Sequence, residues 1–137
     1  LHACGFGHAR IVVPGAGTRQ GAPGAAGSPT REENPLSILI VATISPRPGR
    51  ADAVREALVA AIPAVHQEAG CELYALHEDG YGFVMIERWA TQDDLKAHGA
   101  GTTFNHLSEQ VKEDLSEPIG VRLISPVPAG DPAKGAL

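Results

Sequence analysis

A carboxylate, a guanidinium and an indole stand side by side at Glu87, Arg88 and Trp89, and an imidazole follows at His98. An imidazole takes up or gives a proton near neutral pH. A carboxylate holds charge or accepts hydrogen bonds, and an indole offers a flat apolar face with one donor. Gathered at the edge of an apolar pocket, these groups suit proton transfer on a bound small molecule. Each also has a plainer reading. Trp89 could be the largest piece of a core, and Glu87 the partner of an arginine. Of the six histidines, any one alone is more commonly a surface or structural residue. His98 stands above the others because it closes a helix that follows the Trp89 strand end, and His77, in a strand, comes second. His66 reads as solvated, and His106 as a spare group on a helix surface.

The elements that must position these residues follow from spacing. Leu36 to Ile44 is a near-continuous aliphatic and β-branched run, a buried strand stopped by Pro46-Arg47-Pro48-Gly49. Arg50 to Glu68 carries Val54, Leu58, Ala61/Ile62, Val65 and Ala69 on one helical stripe, with Pro63 expected to kink it and Gly70 to end it. Cys71 to Glu78 alternates, with Tyr74 and Leu76 opposite Leu73, Ala75 and His77. Asp79-Gly80 turns the chain into Gly82–Trp89, where Phe83, Met85, Glu87 and Trp89 share a face. Thr91 and Asp94 form a capping box for a short helix through Leu95 and His98. Phe104, Leu107, Val111 and Leu115 mark a further helix, and Val121 to Val127 the last strand. The order β-α-β-β-α-β predicts an α+β, ferredoxin-like split βαβ fold with helices on one face of an antiparallel sheet. Apolar residues alternate onto both sheet faces, which predicts a homodimer through the uncovered face.

Composition sets bounds. The chain has 137 residues, 43% hydrophobic but only 4% aromatic, so its core must be mainly aliphatic. A formal charge of −5 and the lack of basic runs leave no footprint for nucleic acid or an anionic membrane. Cys4 and Cys71 cannot build a disulfide framework, which fits a reducing cytoplasm. No zinc spacing, phosphate loop, dinucleotide fingerprint or nucleophile elbow is present, so no metal is expected. Pro14, Pro23, Pro29 and Pro35 punctuate a stretch with hardly any large apolar side chain. Residues 1–35 are therefore expected to be a disordered or linker-like extension, or a misassigned start. Residues 36–127 are expected to form the domain, and residues 128–137 a flexible tail.

In order and spacing, Glu68-Ala-Gly-Cys71-x-x-Tyr74-x-x-His77, Glu87-Arg-Trp89, Leu95-x-x-His98 and Phe104 resemble the antibiotic biosynthesis monooxygenase family, which includes cofactor-free quinol monooxygenases. The resemblance spans about residues 36–127. It implies a dimeric α+β barrel with a pocket between sheet and helices in each subunit. It also implies a small aromatic or quinol-type substrate, molecular oxygen and no cofactor. On that reading His98 is the base, with His77 as the alternate. Trp89 and Phe104 pack against the planar substrate, Tyr74 orients an oxygen, Glu87 lines the site, and Arg88 serves the dimer interface. A haem-degrading branch of the family uses an Asn, a Trp and an iron-binding His. The matching positions here hold Ala42, His98 and Ser108, with His106 two places from the last, so haem degradation is not expected. A non-catalytic ligand-binding dimer and an isomerase using the same base are the competing readings.

Overall fold

A computed structural model describes residues 37–137; the expected N-terminal extension, residues 1–35, lies outside the described residues. Seven elements follow one another: β1 (Ile38–Ile44), α1 (Ala51–Val65), β2 (Cys71–Glu78), β3 (Phe83–Trp89), α2 (Gln92–Ala100), α3 (Thr102–Val111) and β4 (Gly120–Ile124). The strands form one antiparallel sheet in the order β2-β3-β1-β4, the ferredoxin-like arrangement.

Alternation sorts the side chains. Ile40, Ala42 and Ile44 of β1, Tyr74 of β2, and Phe83, Met85, Glu87 and Trp89 of β3 are buried on the helix side. Val54, Ala57, Leu58 and Val65 of α1, Leu95 of α2, and Leu107 and Val111 of α3 close over them. The opposite face carries Val41, Leu73, Ala75, Val84 and Ile86 with Arg88 and His77. At the β4 edge, Val121 and Leu123 stay about 40% exposed although they pair with the buried Ala42 and Ile40.

Three element ends differ from the spacing argument. The first helix runs across Pro63 but stops at Val65, so Glu68 and Ala69 lie in the connection to β2. Backbone N–H groups of Gln67 and Glu68 turn back onto Ala64 and Val65 carbonyls in tight closing turns. The third helix ends at Val111, and the buried Leu115 instead pairs with Pro46. That post-helical segment is strapped to the β1–α1 turn by the Arg47 N–H on the Asp114 carbonyl (2.8 Å) and by an Arg50–Asp114 ion pair (3.2 Å). The last strand stops at Ile124, because Pro126 and Pro128 lack a ladder donor. The chain then turns at Asp131–Gly135 and returns to the outer sheet face, where Leu39 is only 3% exposed.

Two glycines with positive φ shape the connections on either side of β2. Gly80 takes a φ of 85° in the β2–β3 turn, where Asp79 Oδ1 accepts from the N–H groups of Tyr81 and Gly82 at 2.9 and 3.0 Å. Gly70 takes a φ of 76°, and a Cβ there would meet the Asp94 side chain, so the α1–β2 connection lies directly against the start of α2.

Candidate active site

Residues from five elements and connections meet beneath the sheet. The helix-side face of β3 presents Glu87 and Trp89 in alternate positions, and the β2 ladder places Tyr74 opposite Glu87 and Cys71 opposite Trp89. A bulge between Cys71 and Leu73 spends one extra residue, Glu72, on the outer side. There Glu72 accepts from Arg88 at 3.0 Å, which keeps that guanidinium on the face away from the site.

Helix α2 begins where β3 ends. Thr91 accepts the Asp94 N–H at 3.1 Å and donates its hydroxyl to the Asp94 carboxylate at 2.7 Å. With the first turn pinned in this way, Leu95 and His98, one turn apart, both face the core. Gly101 forms the corner into α3 in extended backbone, and its N–H returns to the His98 carbonyl at 3.0 Å. That corner folds Phe104, in the first turn of α3, back against His98.

The outcome is an imidazole enclosed by aromatic rings. The His98 ring centroid lies 4.6 Å from Trp89, 5.4 Å from Phe104 and 5.6 Å from Tyr74. Six aromatic residues exist in the whole chain, and three of them surround this one imidazole. The His98 side chain is 4% exposed and Trp89 fully buried, while Phe104 is half-buried and forms the outer wall.

The polar atoms of the group are paired. Trp89 Nε1 donates to Glu87 Oε2 at 2.8 Å. His98 Nδ1 donates to Glu68 Oε2 at 2.7 Å, because an ionised carboxylate only accepts. With its proton on Nδ1, a neutral His98 keeps the lone pair on Nε2, and among the described residues Nε2 makes no hydrogen bond. Burial pushes the Glu87 carboxyl above the ordinary carboxylate range; the Trp89 donor and His98 pull it back, and Glu68 pushes it up further. Burial, with Glu87 and Glu68 nearby, also raises the Tyr74 phenol well above its usual range, so its hydroxyl keeps its proton and can donate.

The raised Glu87 carboxyl has a consequence for stability. The folded chain binds that proton more tightly than the unfolded chain, so folding loses stability as pH rises through the folded-state value. Glu87→Gln keeps an acceptor for Trp89 and removes the titration. Denaturant midpoints should show the variant gaining on wild type between pH 4 and pH 8, and parallel pH profiles would refute the assignment.

Not every residue expected in the site arrives there. His98, Trp89, Tyr74, Phe104 and Glu87 are brought together. His77 is exposed on the outer sheet face, its Nδ1 donating to the Ala75 carbonyl at 3.1 Å, with the sheet between it and the His98 group. Alternation had already set it opposite Tyr74, and nothing in the backbone reverses that. His66 is exposed at the end of α1, with Nε2 donating to the Tyr74 carbonyl at 3.0 Å, and His106 is exposed on α3. Glu68 is the site residue that spacing did not find. It sits 30 positions before His98, and no local period links the two. A 330 Å³ recess does exist elsewhere, on the outer face under the returning C-terminal segment, lined by Leu39, Ile124, Pro126 and Leu137 among others. It shares no residue with the His98 group and offers a lysine, Lys134, as its one titratable side chain. Acidic, imidazole and aromatic groups converge instead at the enclosed His98.

Residues 37–110 match the family described as antibiotic biosynthesis monooxygenase, more than half of the 137 residues. The chain belongs to that family. It is 32% identical over 92 residues to the Mycobacterium tuberculosis protein named "Putative monooxygenase Rv0793", covering 66% of this chain and 91% of the relative. The solved structure of Rv0793 superposes with a TM-score of 0.63 at 29% identity, covering 69% of this chain and 99% of that one. PA3566 from Pseudomonas aeruginosa superposes with a TM-score of 0.64 at 28% identity, over 69% of this chain and 98% of that one. Family membership and the ferredoxin-like fold therefore agree with the order of motifs along the chain.

Proposed function

We propose that this chain is a cofactor-independent monooxygenase that oxidises a small aromatic or quinol-type substrate with molecular oxygen. The observation that carries the reading is His98: buried, tethered through Nδ1 to Glu68, and walled by Trp89, Tyr74 and Phe104.

Triplet oxygen reacts slowly with closed-shell molecules, so the substrate must become electron-rich. His98 Nε2 takes a proton from an anthrone-type methylene or a quinol hydroxyl. The resulting anion passes one electron to oxygen, and the radical pair combines to a peroxide on the substrate carbon. For an anthrone, return of the proton and loss of water convert the methylene to a carbonyl, with one oxygen atom kept and the other leaving in water. The Tyr74 hydroxyl serves the anion as a donor, and the aromatic walls exclude bulk water from the radical pair. Phe104, half-buried, is the wall of the enclosure nearest to solvent.

The reading includes a homodimer. The outer sheet face exposes Val41, Leu73, Val84 and Ile86 in part, an apolar surface suited to a second copy.

Oxygen uptake by electrode with a panel of reduced naphthoquinols and anthrones tests the activity. Uptake above the spontaneous rate, unaffected by chelator and with one atom of labelled oxygen in the product, is the expected result. A panel without enzyme-dependent uptake overturns it and leaves an isomerase or a binding domain.

A further inference from the structure

We infer that Glu68 is a positioning residue for His98: it holds the imidazole in the Nδ1-protonated tautomer and so leaves Nε2 as the basic nitrogen of the aromatic-walled ring. As a statement about catalysis this rests on the oxygenase reading, but the tautomer itself does not.

Three features of the fold build the pair. Helix α1 stops at Val65, which releases Glu68 from helical geometry. Gly70, with its φ of 76°, then presses the connection against Asp94 at the start of α2, and the Gly70 carbonyl accepts the Ala90 N–H at 2.8 Å. The last turn of α2 brings His98 to within 2.7 Å of the Glu68 carboxylate. The two ends of the pair differ in environment. Glu68 has a side chain 23% exposed, whereas His98 is 4% exposed. The carboxylate end of the pair reaches water, while the imidazole it meets is shielded. A free neutral imidazole can carry its proton on either nitrogen. An anionic acceptor at Nδ1 removes that choice, since the other tautomer would set a lone pair against a negative oxygen. Trp89 packs against the ring with centroids 4.6 Å apart, a contact that a ring flip would have to disturb.

Nitrogen-detected NMR of the imidazoles reads the tautomer directly, with His98→Ala identifying the His98 signals. In the neutral ring, wild type should show Nδ1 protonated and Nε2 bare, and Glu68→Ala should lose that preference while unfolding as cooperatively as wild type. A wild-type ring protonated on Nε2, or an unchanged ring in Glu68→Ala, overturns the inference. On the substrate panel, Glu68→Ala should lower kcat about 10- to 100-fold with KM within about twofold, the pattern of a misdirected base. A rise in KM with kcat unchanged would overturn the positioning role. If wild type itself consumes no oxygen, the oxygenase reading falls while the tautomer result still decides the role of Glu68 at the imidazole.

Discussion

Replacing His98 with glutamine is expected to lower enzyme-dependent oxygen uptake by about 100-fold or more, the usual worth of a positioned general base. Glutamine keeps most of the volume between Trp89 and Phe104 and can still pair with Glu68, so the loss reports the missing base and not a collapsed enclosure. The effect should fall on kcat, because the aromatic walls around residue 98 remain in place. His77→Gln serves as the matched control. That histidine is exposed behind the sheet, and its replacement should leave the rate within about twofold. A rate lost in His77→Gln and kept in His98→Gln would exchange the two roles and refute the geometry argued above.

Trp89→Ala should cost about 3–5 kcal/mol of folding stability, the range for emptying a fully enclosed large aromatic site. Trp89 is 0% exposed and packs against His98. It also supplies the hydrogen bond to the buried Glu87 carboxyl. Deleting it therefore opens a cavity and leaves a buried acceptor without its donor, and the second penalty adds about 1–3 kcal/mol where water cannot enter. Trp89→Phe separates the two. It retains most of the packing and should show chiefly the hydrogen-bond loss. Urea denaturation followed by circular dichroism measures both, since the chain has a single Trp and the variants would be silent in tryptophan fluorescence. A Trp89→Ala loss under about 1 kcal/mol would mean that the indole is not the keystone of this core.

The two outcomes together tell a functional enclosure from a structural one. Trp89 stabilises the fold and forms a wall, so its loss affects both stability and rate. His98→Gln, in contrast, should leave the denaturant midpoint near that of wild type while removing the rate.

Much of this arrangement could be read from local pattern. Period-two alternation set Tyr74 opposite His77 within β2, and Glu87 and Trp89 opposite Arg88 within β3; the ladder then joins the Tyr74 face to that of Glu87 and Trp89. The capping pair Thr91–Asp94 marked the start of α2 and with it the phase that turns His98 inward. Such features are encoded within a few residues, because side-chain direction follows backbone period. Ranking His77 as an alternate base weighed its residue type above its face, and the face is the stronger constraint.

The Glu68–His98 pair was not legible in that way. It depends on where α1 stops, on the left-handed Gly70 and on the packing of that connection against α2, none of which has a sequence period. Nor could composition say that three of so few aromatics would converge on one imidazole, since Tyr74, Trp89 and Phe104 come from three separate elements. The return of the C-terminal segment over Leu39 is likewise a long-range contact. Local order, strand faces and helix phases are short-range properties that the residues specify among themselves. Which carboxylate meets which imidazole is set by the crossing of distant elements, where burial of the shared core chooses the geometry.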